Sequence, residues 1–321
     1  MNPFAAIYKS CNSGDPAEKY ADLPDFPSVI DIEPTGLCNF KCLMCPTGVN
    51  ALGRPQGFMK WEVWKKVVDE CEPHGTALRP YGWGEPTLHP RIVDMIACAS
   101  DAGLMTHMNT NGSRLDQTLA ERLIKAGLTS LKFSFQGVDR DSYAEMRGID
   151  FFESLIDRIE MVRTIRGNRK KPWLAVSTST TNEPEWMVRQ FIARVAPLVD
   201  ELHVGSTIFG FFDPSGARVS DEVKDKIISL AARERAGKQH PVPCPQGVDA
   251  LSIHWDGKAA VCCNAYGNVG TFGNVADTSV AELWRHQVIE AYRKRLAVKD
   301  YDAPLCRVCW DYMDLSVEKV A

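Results

Sequence analysis

Between residues 27 and 207 short runs of β-type residues alternate with helical stretches, and this alternation restricts the fold more than any other feature of the chain. Ser28–Ile32, Ala77–Tyr81, Met105–Asn109, Leu131–Phe135, Trp173–Ser177 and Glu201–Val204 read as strands. Trp61–Glu72, Ile92–Ala102, Leu115–Ala126, Phe152–Ile165 and Pro184–Val195 read as the helices between them, with Gly127 and Gly167 as stops. Strands joined by crossover helices pair in parallel, so the expected class is α/β. Six such units are fewer than the eight of a closed barrel, which predicts an open, partial (β/α)6 barrel. The expected domains are an N-terminal arm at 1–26, the barrel core at 27–215, a linker helix at 216–243 and a small α+β domain at 244–321. In the last, Leu251–Trp255 and Lys258–Val261 flank an Asp256-Gly257 turn and read as a hairpin, followed by helical stretches at Val280–His286 and Val288–Leu296.

With 321 residues, 45% of them hydrophobic and 24% charged, the chain can bury a large core and is not a low-complexity sequence. A net charge of -4 and a pI near 6.0 argue against a long nucleic-acid footprint. No apolar run approaches the roughly 18 residues of a membrane span. The first residues lack the charged and apolar regions of a secretory signal, so the expected location is cytoplasmic, with no membrane partner.

The chain has 11 cysteines, an odd count that argues against a disulfide framework and for metal ligation or catalysis in a reducing compartment. Directly after the first strand lies Cys38-x3-Cys42-x2-Cys45. Three thiolates within eight residues can wrap one compact site but leave an iron–sulfur cubane one ligand short. An open iron able to take a small molecule is the functional reading; a zinc knuckle is the alternative, although no Cys or His lies between Pro46 and Met59 to complete it. In the tail, Cys244, one of the adjacent Cys262 and Cys263, and the pair Cys306-x2-Cys309 can close a four-thiolate site, which spacing alone assigns to neither zinc nor iron–sulfur. Cys11, Cys71 and Cys98 have no partners at metal spacing and read as ordinary thiols.

The first cysteine motif resembles the signature of radical S-adenosylmethionine (radical SAM) enzymes, and further stretches over residues 27–207 fit that family in order. Gly84-Glu85-Pro86 resembles its Gly-Gly-Glu-Pro motif, with Trp83 in place of the first Gly; in the family this motif meets the amino group of SAM. Asn109-Thr110-Asn111-Gly112 and Ser134-Phe135-Gln136-Gly137 are similar to the polar strand ends that hold the ribose and carboxylate of SAM, and the segment ending at Arg147 resembles one whose Arg pairs with that carboxylate. The tail resembles the shortened SPASM region called a twitch domain, which implies one auxiliary [4Fe–4S] cluster on Cys244, Cys262, Cys306 and Cys309. Its spacings are similar to those of the 2-deoxy-scyllo-inosamine dehydrogenases, radical SAM aminocyclitol oxidases that also carry an aromatic residue before Gly-Glu-Pro.

The resemblance implies SAM and two [4Fe–4S] clusters as cofactors, and a reducing donor such as flavodoxin or ferredoxin. It implies an oxidoreductase in which a 5′-deoxyadenosyl radical takes a hydrogen atom from a sugar- or aminocyclitol-type alcohol and the auxiliary cluster takes an electron. The alternative is a maturase of ribosomal peptides, or an epimerase with Cys263 as hydrogen donor. Only 37 residues precede Cys38, too few for the roughly 80-residue peptide-recognition domain many maturases carry, so a small molecule is expected ahead of a peptide. By position alone, His203 and Glu183 are further catalytic candidates, with His254 and Arg147 beside them.

Overall fold

The computed structural model describes residues 2–7, 15–207, 209, 214–231, 249–300, 302, 303, 305, 306 and 318–320. Six parallel strands follow one another in chain order: β1 (Val29–Ile32), β2 (Ala77–Pro80), β3 (His107–Thr110), β4 (Ser130–Ser134), β5 (Trp173–Thr180) and β6 (Glu201–Ser206). A parallel bridge between Leu78 and Thr106 joins β2 to β3, so the six form one curved, open wall. The helices Trp61–Cys71, Ile92–Asp101, Gln117–Lys125, Phe152–Arg166 and Glu185–Val195 alternate with the strands, as the periodicity predicts. One helix, Arg140–Arg147, was not expected; an Asp139–Ser142 capping box starts it and Gly148, at φ 69°, ends it.

Side chains alternate across the wall. Ile30, Leu78, Met108, Leu131, Phe133, Val176 and Leu202 are buried in the apolar core that includes the helix residues Trp64, Val67, Met95 and Ile159. Their neighbours in sequence, among them Arg79, His107, Asn109, Lys132, Glu201 and His203, line a lumen. Period-two alternation therefore separates an apolar outer face from a polar inner one.

An open wall has two edges whose backbone groups need partners. Here later parts of the chain supply both. Strand β7 (Ala250–Ile253) pairs in parallel with β1, Val29 opposite Ala250, and continues through β8 (Lys258–Ala260) to β9 (Thr271–Asn274). Strand β10 (Glu318–Val320) pairs antiparallel with β6. The expected hairpin forms around Asp256-Gly257, with Gly257 at φ 83°, while β9 and β10 were not expected. The helices Val280–Trp284 and Gln287–Ala297 follow β9, and the latter packs on the helix Pro16–Ala21. The linker stretch is helical over Asp221–Ala231; its remainder, 232–243, lies outside the described residues.

The bottom of the lumen is occupied by the N-terminal segment. Asn2 Nδ2 donates to Glu201 Oε2 at 2.7 Å, and the fully buried Phe4 meets the His107 ring edge-on, centroids 5.5 Å apart. Residues 2–7 thus act as a plug.

Candidate active site

At the C-terminal ends of the strands, the loop carrying Cys38, Cys42 and Cys45 packs against the ends of β2, β3 and β4. Gly84 lies so close to it that a Cβ there would overlap the Thr35 carbonyl oxygen, and the Glu85 amide donates to Leu37 O at 2.8 Å. This position requires glycine. Within the loop, the Cys45 amide donates to Cys42 O at 3.2 Å and Leu43 N donates to Met146 O at 2.9 Å, which ties the loop to the helix ending at Arg147.

Four of the expected SAM-contacting residues meet this loop: Gly84 and Glu85 through the backbone approach just described, and Asn111 and Arg147 through their side chains. Asn111 Nδ2 donates to Asn39 Oδ1 at 3.1 Å and lies 4.0 Å from Cys38 Sγ. Arg147 reaches Cys42 Sγ at 3.5 Å through Nη1 and donates to Ser134 O at 2.5 Å through Nη2, which also places Ser134 here. Glu85 is buried and used internally: Oε1 accepts from Thr87 N at 3.0 Å, Thr87 Oγ1 at 2.6 Å and Thr110 Oγ1 at 2.7 Å, and Oε2 accepts from Asn111 N at 2.7 Å. Burial raises its carboxyl above the usual range, and these donors oppose that shift. Gln136 is engaged elsewhere, by Ser179 O at 3.1 Å and Thr207. Asn109 lies a layer lower, lining the lumen with its Oδ1 buried and unpartnered.

Burial pushes the Cys38 thiol up to about 12, with the charges of Glu85, Cys42 and Cys45 adding to it; Cys45 is raised by burial and then by Cys42. The three sulfurs are near enough to oppose one another's ionisation. A bound cationic metal reverses that balance, because its charge stabilises thiolate. Among the described residues no three His, Cys, Asp or Glu side chains converge tightly enough for a single metal ion. A cubane places each thiolate on a different iron, so the spread of the loop and its Asn111 and Arg147 donors fit a cluster better than a zinc ion.

In the tail, Cys262 and Cys306 are both buried. A Cβ on Gly270 would meet Val261 at 2.8 Å and Leu305 at 2.9 Å, which sets the Cys306 turn against the Cys262 segment. Tyr292 Oη lies 3.2 Å from Cys306 Sγ. Cys244 and Cys309 lie outside the described residues, as does Cys11; Cys71 is buried and Cys98 half-buried. Cys263, next to Cys262, is half-buried and borders a small cleft with Asp31, Tyr81, Trp83 and His254. His203 lines the lumen with its Nε2 2.9 Å from Glu201 Oε1, whereas the Glu183 carboxylate accepts from Thr181 N at 2.6 Å and Asn182 N at 3.0 Å and holds its own turn.

Some of the site was not anticipated. Glu33 is buried and ion-paired with Arg54, whose Nη2 donates to both carboxylate oxygens at 2.8 Å; it also accepts from Trp83 N at 2.9 Å and Trp255 N at 3.2 Å. Trp83, in the place of the family's glycine, donates its Nε1 to Ala265 O at 3.2 Å and accepts at its carbonyl from Thr47 Oγ1 at 2.6 Å. It therefore ties the first cysteine loop to the segment that follows Cys262 and Cys263. The signal was present as a polar residue at every second strand position, which marks an inner face only once the wall curves.

Residues 32–181 match the radical SAM superfamily and residues 244–310 match SPASM, an iron–sulfur cluster-binding domain. The chain carries a radical SAM domain followed by a SPASM domain. SAM with a [4Fe–4S] cluster is the cofactor set of the first, and auxiliary iron–sulfur chemistry belongs to the second. The chain is 30% identical to the AdoMet-dependent heme synthase of Methanosarcina barkeri over 138 residues, 43% of this chain and 39% of that protein. Its alignments to the first curated relatives span 39% or less of their length. Among solved structures it is similar to SuiB of Streptococcus suis, TM-score 0.65 at 12% identity over 95% of this chain and 75% of that one. It is also similar to BtrN in complex with AdoMet and 2-DOIA, TM-score 0.56 at 13% identity over 87% and 91%. At these identities both are likenesses of fold alone. No helix among the described residues is long and apolar enough to cross a membrane.

Proposed function

We propose that this chain is a radical SAM oxidoreductase that oxidises a small alcohol, of sugar or aminocyclitol type, using an auxiliary [4Fe–4S] cluster as electron acceptor and a flavodoxin- or ferredoxin-like donor. The observation that carries the reading is the convergence of the three-cysteine loop with Glu85, Asn111 and Arg147 above a polar lumen. Cys38, Cys42 and Cys45 are the ligands assigned to the first cluster, and Cys244, Cys262, Cys306 and Cys309 those assigned to the auxiliary one. When bound, SAM and its reduced cluster supply a 5′-deoxyadenosyl radical able to take hydrogen from an unactivated carbon.

The chain's own residues supply orientation. Gly84 brings the β2 loop close enough to leave backbone groups for the amino end of SAM, and Glu85 holds that loop against β3. Asn111, Ser134 and Arg147 line the way from the first cluster to the β4 end, Arg147 placing a fixed positive charge on the Cys42 sulfur and leaving its Nε buried without a partner. Gln136 and Asn109 are the other residues assigned to SAM, Gln136 bonded to Ser179 O and Thr207 and Asn109 a layer lower in the lumen. The plug at residues 2–7 closes the lumen below, which favours a small substrate and excludes water.

A second reading has its own observation: Cys263 borders a cleft lined by Asp31 and Tyr81, a place for a thiol that returns a hydrogen atom in an epimerase or a peptide maturase. SuiB, one of the similar folds, has been solved bound to the precursor peptide SuiA. Product redox state separates the readings. An oxidised product with no solvent hydrogen supports the dehydrogenase, and an isomeric product carrying one solvent deuterium replaces it with the epimerase. Independently, changing Cys38, Cys42 and Cys45 together to Ala is expected to remove roughly half the iron and abolish reductive cleavage of SAM; retained cleavage would sink the ligand assignment.

A further inference from the structure

The barrel lumen encloses a cavity of about 370 Å³, and its charges are unevenly matched. Arg79 is paired with Asp31, Nε to Oδ1 at 2.5 Å. Glu201 is engaged three times, by Asn2 Nδ2 at 2.7 Å, His203 Nε2 at 2.9 Å and Trp173 Nε1 at 3.1 Å. Lys132 alone lines this cavity without a hydrogen-bond or ion-pair partner for its ammonium group among the described residues. Two strand neighbours explain the room around it. Lys132 stands opposite Ala175 on one side, which contributes only a methyl group, and opposite Asn109 on the other, whose Oδ1 is also unpartnered.

Lys132 is half-buried, and an ammonium group that faces a confined lumen with no acceptor from the protein can take one from a ligand. Burial, reinforced by Arg79 and opposed by Glu201 and Cys263, draws the Lys132 amine down to about 8. Its height in the barrel fits a ligand. At about 3.3 Å per strand residue, Lys132 sits one inward layer, about 6.6 Å, below Ser134, whose carbonyl Arg147 holds beside the cysteine loop. A molecule with its reacting carbon at that upper level and a chain of two or three carbons below it would bring its far end to Lys132.

We propose that the lumen binds a small hydroxy acid, with the substrate carboxylate seated on the Lys132 ammonium group and assisted by Asn109. The proposal deepens the oxidoreductase reading, on which its hydroxyl-bearing carbon rests, by naming the anionic group that fixes the substrate's orientation. Lys132 is then the residue that determines specificity. The cavity suits a compound the size of a substituted six-membered ring, and the plug at residues 2–7 stops a longer chain from passing through.

The test measures binding by equilibrium dialysis with the anaerobic, SAM-loaded holoenzyme, so no turnover is needed. Three probes share one skeleton: 4-hydroxycyclohexanecarboxylate, its carboxamide, and cyclohexane-1,4-diol. The acid is expected to bind about tenfold or more tighter than either neutral probe. Lys132→Gln is expected to erase that preference and Lys132→Arg to keep most of it, with iron content and circular dichroism confirming that each variant is folded. Equal binding of the three probes, undetectable binding of the acid, or a preference that survives Lys132→Gln would each overturn the proposal. Failure of the oxidoreductase reading shows separately, as wild-type protein that releases no 5′-deoxyadenosine or that binds the acid without oxidising it.

Discussion

The Glu85 carboxylate accepts four hydrogen bonds from Thr87, Thr110 and Asn111, so its first effect is on the shape of the loop that faces the cysteine motif. The family resemblance assigns this motif to the amino group of SAM, and one lone pair of Oε2 remains for it. Glu85→Ala removes both roles and leaves the Thr87 and Asn111 amides and two threonine hydroxyls without this acceptor. The expected outcome is a loss of about 1–3 kcal/mol in denaturant unfolding together with a roughly ten- to hundred-fold weaker SAM affinity at unchanged iron content. Weaker unfolding stability with normal SAM affinity would leave Glu85 as a loop brace only. Trp83 illustrates the same scale. A glycine there could not bond Ala265, so the departure from the family's pattern is what connects the two cysteine regions.

At the scale of elements, the β7–β8 hairpin carries a titratable group into the core. His254 is buried, its Nδ1 has no partner, and burial together with Arg54 holds it down to about 4 from an ordinary value of 6.5. The folded protein therefore keeps this ring neutral between about pH 6.5 and 4, while the unfolded chain takes up a proton there. Stability is expected to fall as pH drops through that window, by up to roughly 3 kcal/mol from this residue. Urea midpoints at pH 7.5 and 5.0 check it: His254→Gln is expected to flatten the difference, and an unchanged slope would assign the acid sensitivity to other groups. The same hairpin closes the free edge of β1. Acid sensitivity at His254 is therefore sensitivity of a barrel edge.

For the whole molecule, the Glu33–Arg54 pair joins the barrel, the stretch after the cysteine loop, the Gly84-Glu85-Pro86 loop and the hairpin through one carboxylate. Arg54→Met leaves that carboxylate buried without its counter-ion, at an expected cost of about 3–5 kcal/mol. Glu33→Gln combined with Arg54→Met removes both charges and is expected to recover part of the loss; a double variant as unstable as the sum of the singles would mean that the two residues do not act as a pair. The auxiliary cluster is tested at the same scale. Changing Cys306 and Cys309 to Ala is expected to remove about half the iron while leaving SAM cleavage, and to stop formation of the two-electron-oxidised product. Circular dichroism and SAM binding serve as the folding control, because metal binding and folding are coupled in such domains. Oxidised product at the wild-type rate would remove the electron-acceptor role.

Local pattern was enough to place six strand–helix units, because hydrophobic period and glycine stops act within a few residues: the expected strand Ser28–Ile32 is β1 within a residue, and Gly127 and Gly167 stop their helices. The spacing of Cys38, Cys42 and Cys45 was equally legible, since ligands so close in sequence must share a loop whatever the fold. The strand returns β9 and β10 were not, being short and lacking strong alternation; β9 extends the β7–β8 hairpin, and β10 gives the open edge of β6 its backbone partner. The inner face was written in Arg79, Asn109, Lys132 and His203, yet alternation of period two says only that polar and apolar residues take opposite sides. Curvature of the wall decided which side became a lumen, and with it that Lys132 faces that lumen without a hydrogen-bond partner among the described residues while Glu183, equally polar in sequence, merely holds a turn. Long-range placement is a property of how the elements pack, which no single segment encodes.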